Sequence, residues 1–187
     1  VFVETWKSVL KSPSHEIFTL LECENGSKRE IEAGLQISGI LLTNKLSPYN
    51  EDSLVEQQRF ISTLISLMSK SSSLVHFPAA EVLGLHLKFL ASKGEGNEAL
   101  EKVSQNLSSQ IISNSKQLAQ ALSCVYFIHN HFPEIISKLI GRVLAVLPRL
   151  YGVHKERVLQ CLVSYSSQIE DIFAHMKEQN ILSSLQT

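Results

Sequence analysis

Two histidines one residue apart, His129 and His131 in the run FIHNHFPEII, have the His-x-His spacing that zinc and copper sites use. His154 and Cys161, seven apart, form a second pair; imidazole and thiolate suit the same metals, and a cysteine beside a base can begin a nucleophilic centre. Helical placement argues against both. Residues two apart on an α-helix point ~200° apart around its axis, so His129 and His131 cannot face one ion. His154 and Cys161 are separated by ~10.5 Å of helical rise and cannot touch. The stretch SKQLAQALSCVYFIHNHF is helical in period, with Leu118, Leu122, Val125 and His129 along one stripe. Both histidines fall in its last turn, where an imidazole can bond orphan carbonyls and complement the C-terminal dipole. Pro133 then opens the next helix. Cys161, flanked by Leu159 and Leu162, reads as a core thiol.

No glycine-rich phosphate loop, Asp-Phe-Gly-type metal motif or pair of carboxylates around a cleft accompanies these residues. The sequence therefore assigns no catalytic, cofactor-binding or metal-ligating residue. Three Ser-Gln steps occur, at Ser104, Ser109 and Ser167, and read as ordinary helix-surface positions; their modification stays open. The triplets Asn25-Gly26-Ser27 and Asn106-Leu107-Ser108 match a glycosylation pattern without any secretory context.

The elements that must position these residues are helices. The chain has 187 residues, 44% hydrophobic and 19% charged, which suits an ordered globular segment. A formal net charge of -1 gives no overall field to gather nucleic acid or anionic lipid. The three cysteines, Cys23, Cys124 and Cys161, lie far apart and suggest free thiols in a reducing compartment. The opening VFVETWKSVL lacks an initiator Met and is already amphipathic through Val3, Trp6, Val9 and Leu10, as in a piece of something longer. No apolar run is expected to reach the ~18 residues of a membrane span, and no targeting segment leads the chain, so a soluble intracellular fragment is expected.

Apolar residues recur at i, i+3, i+4, i+7 almost throughout, and the fold class is all-α. Helix starts are expected at Ser12-Pro13, at the capping box Ser27-Lys28-Arg29-Glu30, near Asn50-Glu51-Asp52, Phe77-Pro78, Asn97-Glu98, Asn114-Ser115 and Phe132-Pro133, and at Val153 and Ser167. Spaced roughly twenty residues apart, they make helical hairpins of about forty, the period of HEAT and armadillo repeats. Residues 1–187 then form one segment of a HEAT/armadillo-like α-solenoid of stacked antiparallel helix pairs. The stripe Ile136, Leu139, Ile140, Val143, Leu144, Leu147 is too wide for one neighbour, and Gly141 would permit close approach. Ile169, Ile172, Phe173 and Met176 make a narrow stripe, as on an outer helix. Loops are expected at Leu46 to Asn50, Ser69 to Ser73 and Ser92 to Glu98.

The runs FVETWKSVLKSPSHEIF, GLQISGILLTNKLSPYN, AAEVLGLHLKFLA and VLPRLYGVHKERVLQCLV occur in that order over nearly the whole chain. They resemble the central HEAT-repeat region of the phosphatidylinositol-3-kinase-related kinases, most closely at Trp6-Lys7, Gly34 to Pro48, Ala79 to Leu85 and Leu147 to Gly152. Its specificity lies in collinearity, because these are packing sequences. It implies a nuclear segment of the ring-shaped solenoid upstream of the kinase domain in a serine/threonine kinase of non-homologous end joining. The expected partners are neighbouring HEAT repeats and, through the parent assembly, the Ku heterodimer and double-stranded DNA ends, with no membrane. ATP and magnesium belong to the kinase domain; none of its motifs occurs here. Two other readings share the residue-level features: a HEAT or armadillo protein-binding scaffold of another large nuclear or transport protein, and an independent metal or thiol enzyme.

Overall fold

The computed structural model describes residues 14–23, 28–112 and 116–166. Among them are eight α-helices, one 3-10 turn and no strand. We number the helices α1 (Ser14–Leu21), α2 (Lys28–Thr43), α3 (Leu54–Met68), α4 (Ser73–Ala91), α5 (Asn97–Gln110), α6 (Leu118–His129), α7 (Ile135–Val146) and α8 (Gly152–Ser166); the 3-10 turn is Leu147–Arg149. The all-α, solenoid-like expectation holds. The starts of α1 and α3 lie about forty residues apart, as do those of α2 and α4, the repeat period of HEAT-type pairs. The chain divides into two compact units, Val1–Ala99 and Leu100–Thr187.

In the first unit α1 packs on α2, α3 on α4, and α2 on α4. Side-by-side neighbours joined by so short a turn as residues 69–72 must run antiparallel. Contact with the next helix and the next but one is how stacked repeats bury their faces. The core centres on α4, where Ala79, Ala80, Leu83 and Leu87 are buried together with Phe60, Ile61 and Leu64 of α3 and Leu35, Leu41 and Leu42 of α2. α1 and α2 meet at Gly34: a Cβ there would stand 3.0 Å from the Leu20 Cβ and 3.0 Å from a Leu21 methyl. Hydrogen-bonded turns finish the helices. Leu46 N–H bonds the Leu41 carbonyl and Lys45 N–H that of Leu42, with Lys45 in the left-handed region; this is the Schellman pattern that usually employs glycine. The end of α4 repeats it with Gly94 at that position.

In the second unit α6 packs on α7 and α8, and α7 on α8 and the 3-10 turn. Ile135, Ile136, Leu139, Val143, Leu144 and Leu147 are buried, as the wide stripe predicts, while Ile140 is half-buried. Lys138 of α7 pairs with Glu101 of α5 at 3.1 Å.

Several expectations are corrected. Phe77-Pro78 does not start a helix; α4 begins at Ser73 and carries Pro78 inside. Burial of Val75 and His76 draws the preceding turn into the helix. The carbonyl that Pro78 leaves without a donor belongs to Leu74, on an exposed turn where water can satisfy it. The serine loop is accordingly shorter than expected. Asn50-Glu51-Asp52 form a turn, with Asp52 N–H donating to the Asn50 side chain, and Ser53 is the N-cap of α3. Gly141 is exposed, and nothing lies within 4 Å of where its Cβ would stand, so it permits no close approach. α4 is long and apolar enough on average to cross a membrane, contrary to the expectation for any run, but 61% of its apolar window is buried against other helices, which marks a core helix. The expectations at Ser12-Pro13, Ser27, Asn114-Ser115, Ser167 and residues 168–176 lie outside the described residues.

Candidate functional site

His129 is the last residue of α6 and is buried; His131 lies two residues past the helix end and is half-buried. The α6 terminus sets them apart as helical geometry requires. Burial holds the His129 imidazole below its ordinary pKa, partly offset by a hydrogen bond to the Pro133 backbone. The ring's Nδ1 is buried without a partner, and Pro133 does not open the next helix as expected but lies in the turn before α7, whose N-cap is Glu134. Cys161 and Cys124 are buried thiols whose pKa values burial pushes up to about 12, which suppresses the thiolate that a nucleophile or ligand requires. Among the described residues no three His, Cys, Asp or Glu side chains gather as a metal site would need.

Ser104 is not on the surface as expected. It is buried, with its hydroxyl donating to the Glu101 carbonyl, whereas Ser109 is exposed and donates to Asn106. In the loop before α5, Gly94 and Gly96 both have positive φ, Gly96 packs against Leu90, and Glu98 places an anion in the first helical turn.

The most organised polar feature in the first unit was not singled out from sequence. Tyr49, in the connection between α2 and α3, donates or accepts a 2.7 Å hydrogen bond with Nε2 of His86 in α4. Its ring lies 5.5 Å from Phe60 at 46° and 5.5 Å from His86 edge-on, and Phe60 and His86 meet edge-on at 5.1 Å. Phe18 of α1 stands 6.4 Å from Phe60. His86 is fully buried, its Nδ1 has no partner, and desolvation lowers its pKa to about 3. The available signal was His86 on the same helical stripe as Leu83, Leu87 and Leu90, an imidazole at a core position.

Two grooves flank this core. One, of about 580 Å³, runs between α2 and α4 and is lined by Gln36, Ile40, Asn44, Pro78, Val82 and Leu85; Ile40 is 53% exposed there. The other, of about 610 Å³, is lined by Glu22, Cys23, Arg59, Thr63, Ser66 and Lys70. Within it Arg59 pairs with Glu22, Thr63 donates to the same carboxylate at 2.9 Å, and the guanidinium lies 4.2 Å over Phe18. The Arg59 hydrogen bond holds the Glu22 pKa below its ordinary value. The pair is at the surface and internally neutralised, so it is a tie between α3 and the end of α1.

The geometry is that of packed helices with structural polar ties, and comparison with known proteins agrees. The family model described as DNA-PKcs, CC5 matches residues 1–187. The chain belongs to this family. It is similar to the DNA-dependent protein kinase catalytic subunits of Canis lupus familiaris, at 27% identity over 186 residues, of Gallus gallus, at 25% over 182, and of Dictyostelium discoideum, at 27% over 191. Each comparison covers 96% of this chain and 4% of the relative. The chain therefore spans about 4% of the length of the curated relatives it matches, in a segment other than their kinase domain. Within the stretches that carry the family resemblance, Gly34 lies at the α1–α2 contact, and Ala79, Ala80 and Leu83 in α4 and Leu147 in the 3-10 turn are buried.

Proposed function

We propose that this chain is a structural α-solenoid segment of a nuclear, DNA-activated serine/threonine kinase that repairs double-strand breaks by non-homologous end joining. In this reading the segment supports the ring that holds Ku and the DNA end, and couples its shape to the kinase head. The observation that carries the proposal is the match of the DNA-PKcs, CC5 family model to residues 1–187, on a fold of packed helix pairs. A repeat array suits such coupling because each repeat touches only its neighbours, so small rotations add along the array. ATP and magnesium are assigned to the kinase domain of the parent protein.

The test is made in the intact protein that carries this segment. Substitution of the exposed Lys70, Ser71, Lys93 and Glu95 alters the connections on either side of α4 while sparing the helix ends and the positive-φ Gly94 and Gly96. Reduced Ku-dependent recruitment or DNA-stimulated kinase activity is expected if these loops contact partners. Unchanged recruitment, unchanged stimulation and no partner bound to the segment would refute direct contact and leave only mechanical support.

A further inference from the structure

We propose that Tyr49 is a clasp: bonded to His86 inside the core, it fixes the connection between the α1/α2 pair and the α3/α4 pair in one position. The inference is independent of the DNA-repair reading.

Connections between helices usually run over the surface, because buried irregular backbone leaves polar groups unsatisfied. This one sends Pro48 and Tyr49 into the core while Asn50, Glu51 and Asp52 on its far side stay exposed. Tyr49 is only 4% exposed, in a socket made by Phe60 of α3 and His86 of α4. Phe60 in turn meets Phe18 of α1, so one ring cluster touches both helix pairs and the strand of chain between them. Local bonds shape the approach. Lys45 in the left-handed region turns the chain off α2, Tyr49 N–H donates to the Ser47 hydroxyl at 3.3 Å, and Asn50 N–H donates to Glu56 at 2.8 Å.

The pair does more to define a position than to add stability. A buried neutral imidazole can accept at one nitrogen and donate at the other, and here only Nε2 has a partner. Apolar side chains of similar volume at both 49 and 86 would leave no polar atom of the pair unsatisfied, whereas one at 86 alone would strand the buried Tyr49 hydroxyl, so the net stabilisation from the pair is small. What histidine adds is direction: a single hydroxyl in one place satisfies Nε2, and withdrawal of Tyr49 would leave both ring nitrogens of His86 unpartnered. The connection therefore has one seated state and a costly unseated one, with little between them. A joint of this kind resists small rotation of one helix pair on the next and yields only by releasing the phenol.

Hydrogen exchange in the intact protein tests the clasp. In Tyr49→Phe, amides of residues 44–53 should exchange on the order of tenfold faster, while the α4 amides around Leu83 keep their protection. Tyr49→Phe combined with His86→Leu removes the stranded imidazole. The α4 core should then be at least as protected as in the parent, yet residues 44–53 should remain fast. Unchanged exchange of residues 44–53 in Tyr49→Phe would overturn the proposal. So would recovery of their protection in the double variant, or loss of α4 protection there, since either would make the pair ordinary core packing.

Discussion

Gly34 and Gly141 both occupy helices, and replacing each with alanine should have opposite effects. Alanine gains ~0.5–1 kcal/mol over glycine in a helix through lower chain entropy and better propensity. At Gly34 the new methyl would lie 3.0 Å from the Leu20 Cβ, an atom fixed to the α1 backbone, and 3.0 Å from a Leu21 methyl that is itself buried. Neither can step aside unless α1 shifts, and such overpacking costs ~1–3 kcal/mol. At the middle of both ranges, Gly34→Ala loses roughly 1 kcal/mol, or about a fivefold rise in local opening. At Gly141 nothing lies within 4 Å, so only the gain of ~0.5–1 kcal/mol remains. Hydrogen exchange of the intact protein reads both: α1 and α2 amides should exchange faster in Gly34→Ala, and α7 amides slower in Gly141→Ala. If Gly34→Ala protected α1 and α2 as well as the parent does, the close approach of these helices would be refuted.

Acid should weaken the first unit in two stages. An unfolded histidine takes up a proton near pH 6.5, whereas buried His86 resists until about 3, so its contribution is fully present above 6.5 and lost as pH falls. His129 acts in the same direction in the second unit. His86→Leu should flatten the decline between about pH 6.5 and 4.5 in urea unfolding of the first unit; an unchanged slope would contradict the burial assigned to this ring. Glu22, with its pKa lowered by Arg59, stabilises above the ordinary carboxylate range near 4.3 and loses that contribution as pH falls through its folded pKa. Being exposed, the pair should contribute less than ~1 kcal/mol, measurable as a small drop in protection of α3 in Glu22→Gln. Under native conditions a thiol reagent should modify Cys23, which is half-buried, well before Cys124 or Cys161; rapid labelling of the latter two, read by mass spectrometry, would contradict their burial.

The helical class and the forty-residue period were legible because each helix carries its own apolar stripe. The α7 run from Ile136 to Leu147 is an example in which pattern and burial nearly coincide. The role of His129 at a helix end was legible for the same local reason. Pro78 misled because its local rule, proline at a helix start, competes with burial of Val75 and His76, which only the packed partners decide. Gly141 and Gly34 show the same limit: both interrupt helical patterns, and only the neighbouring helix shows which one is a contact. Ser104 looked like a surface residue because its type is polar, but it shares a helical face with Val103 and Leu107 closely enough to be buried. The Tyr49–His86 pair joins residues 37 apart through a loop, so no local period encodes it.

The central claim is that this segment carries shape between the DNA-holding part of the kinase and its catalytic head. It is tested most directly by softening the core of α4 and measuring DNA stimulation in the intact protein. Leu83 is completely buried, and Leu83→Ala should cost ~2–5 kcal/mol locally, confirmed by faster exchange of α4 amides. The account predicts that stimulation of phosphorylation by DNA ends then falls several-fold, while the DNA-independent rate and the KM for ATP stay unchanged. Full stimulation by DNA in a protein whose α4 is demonstrably softened would contradict it.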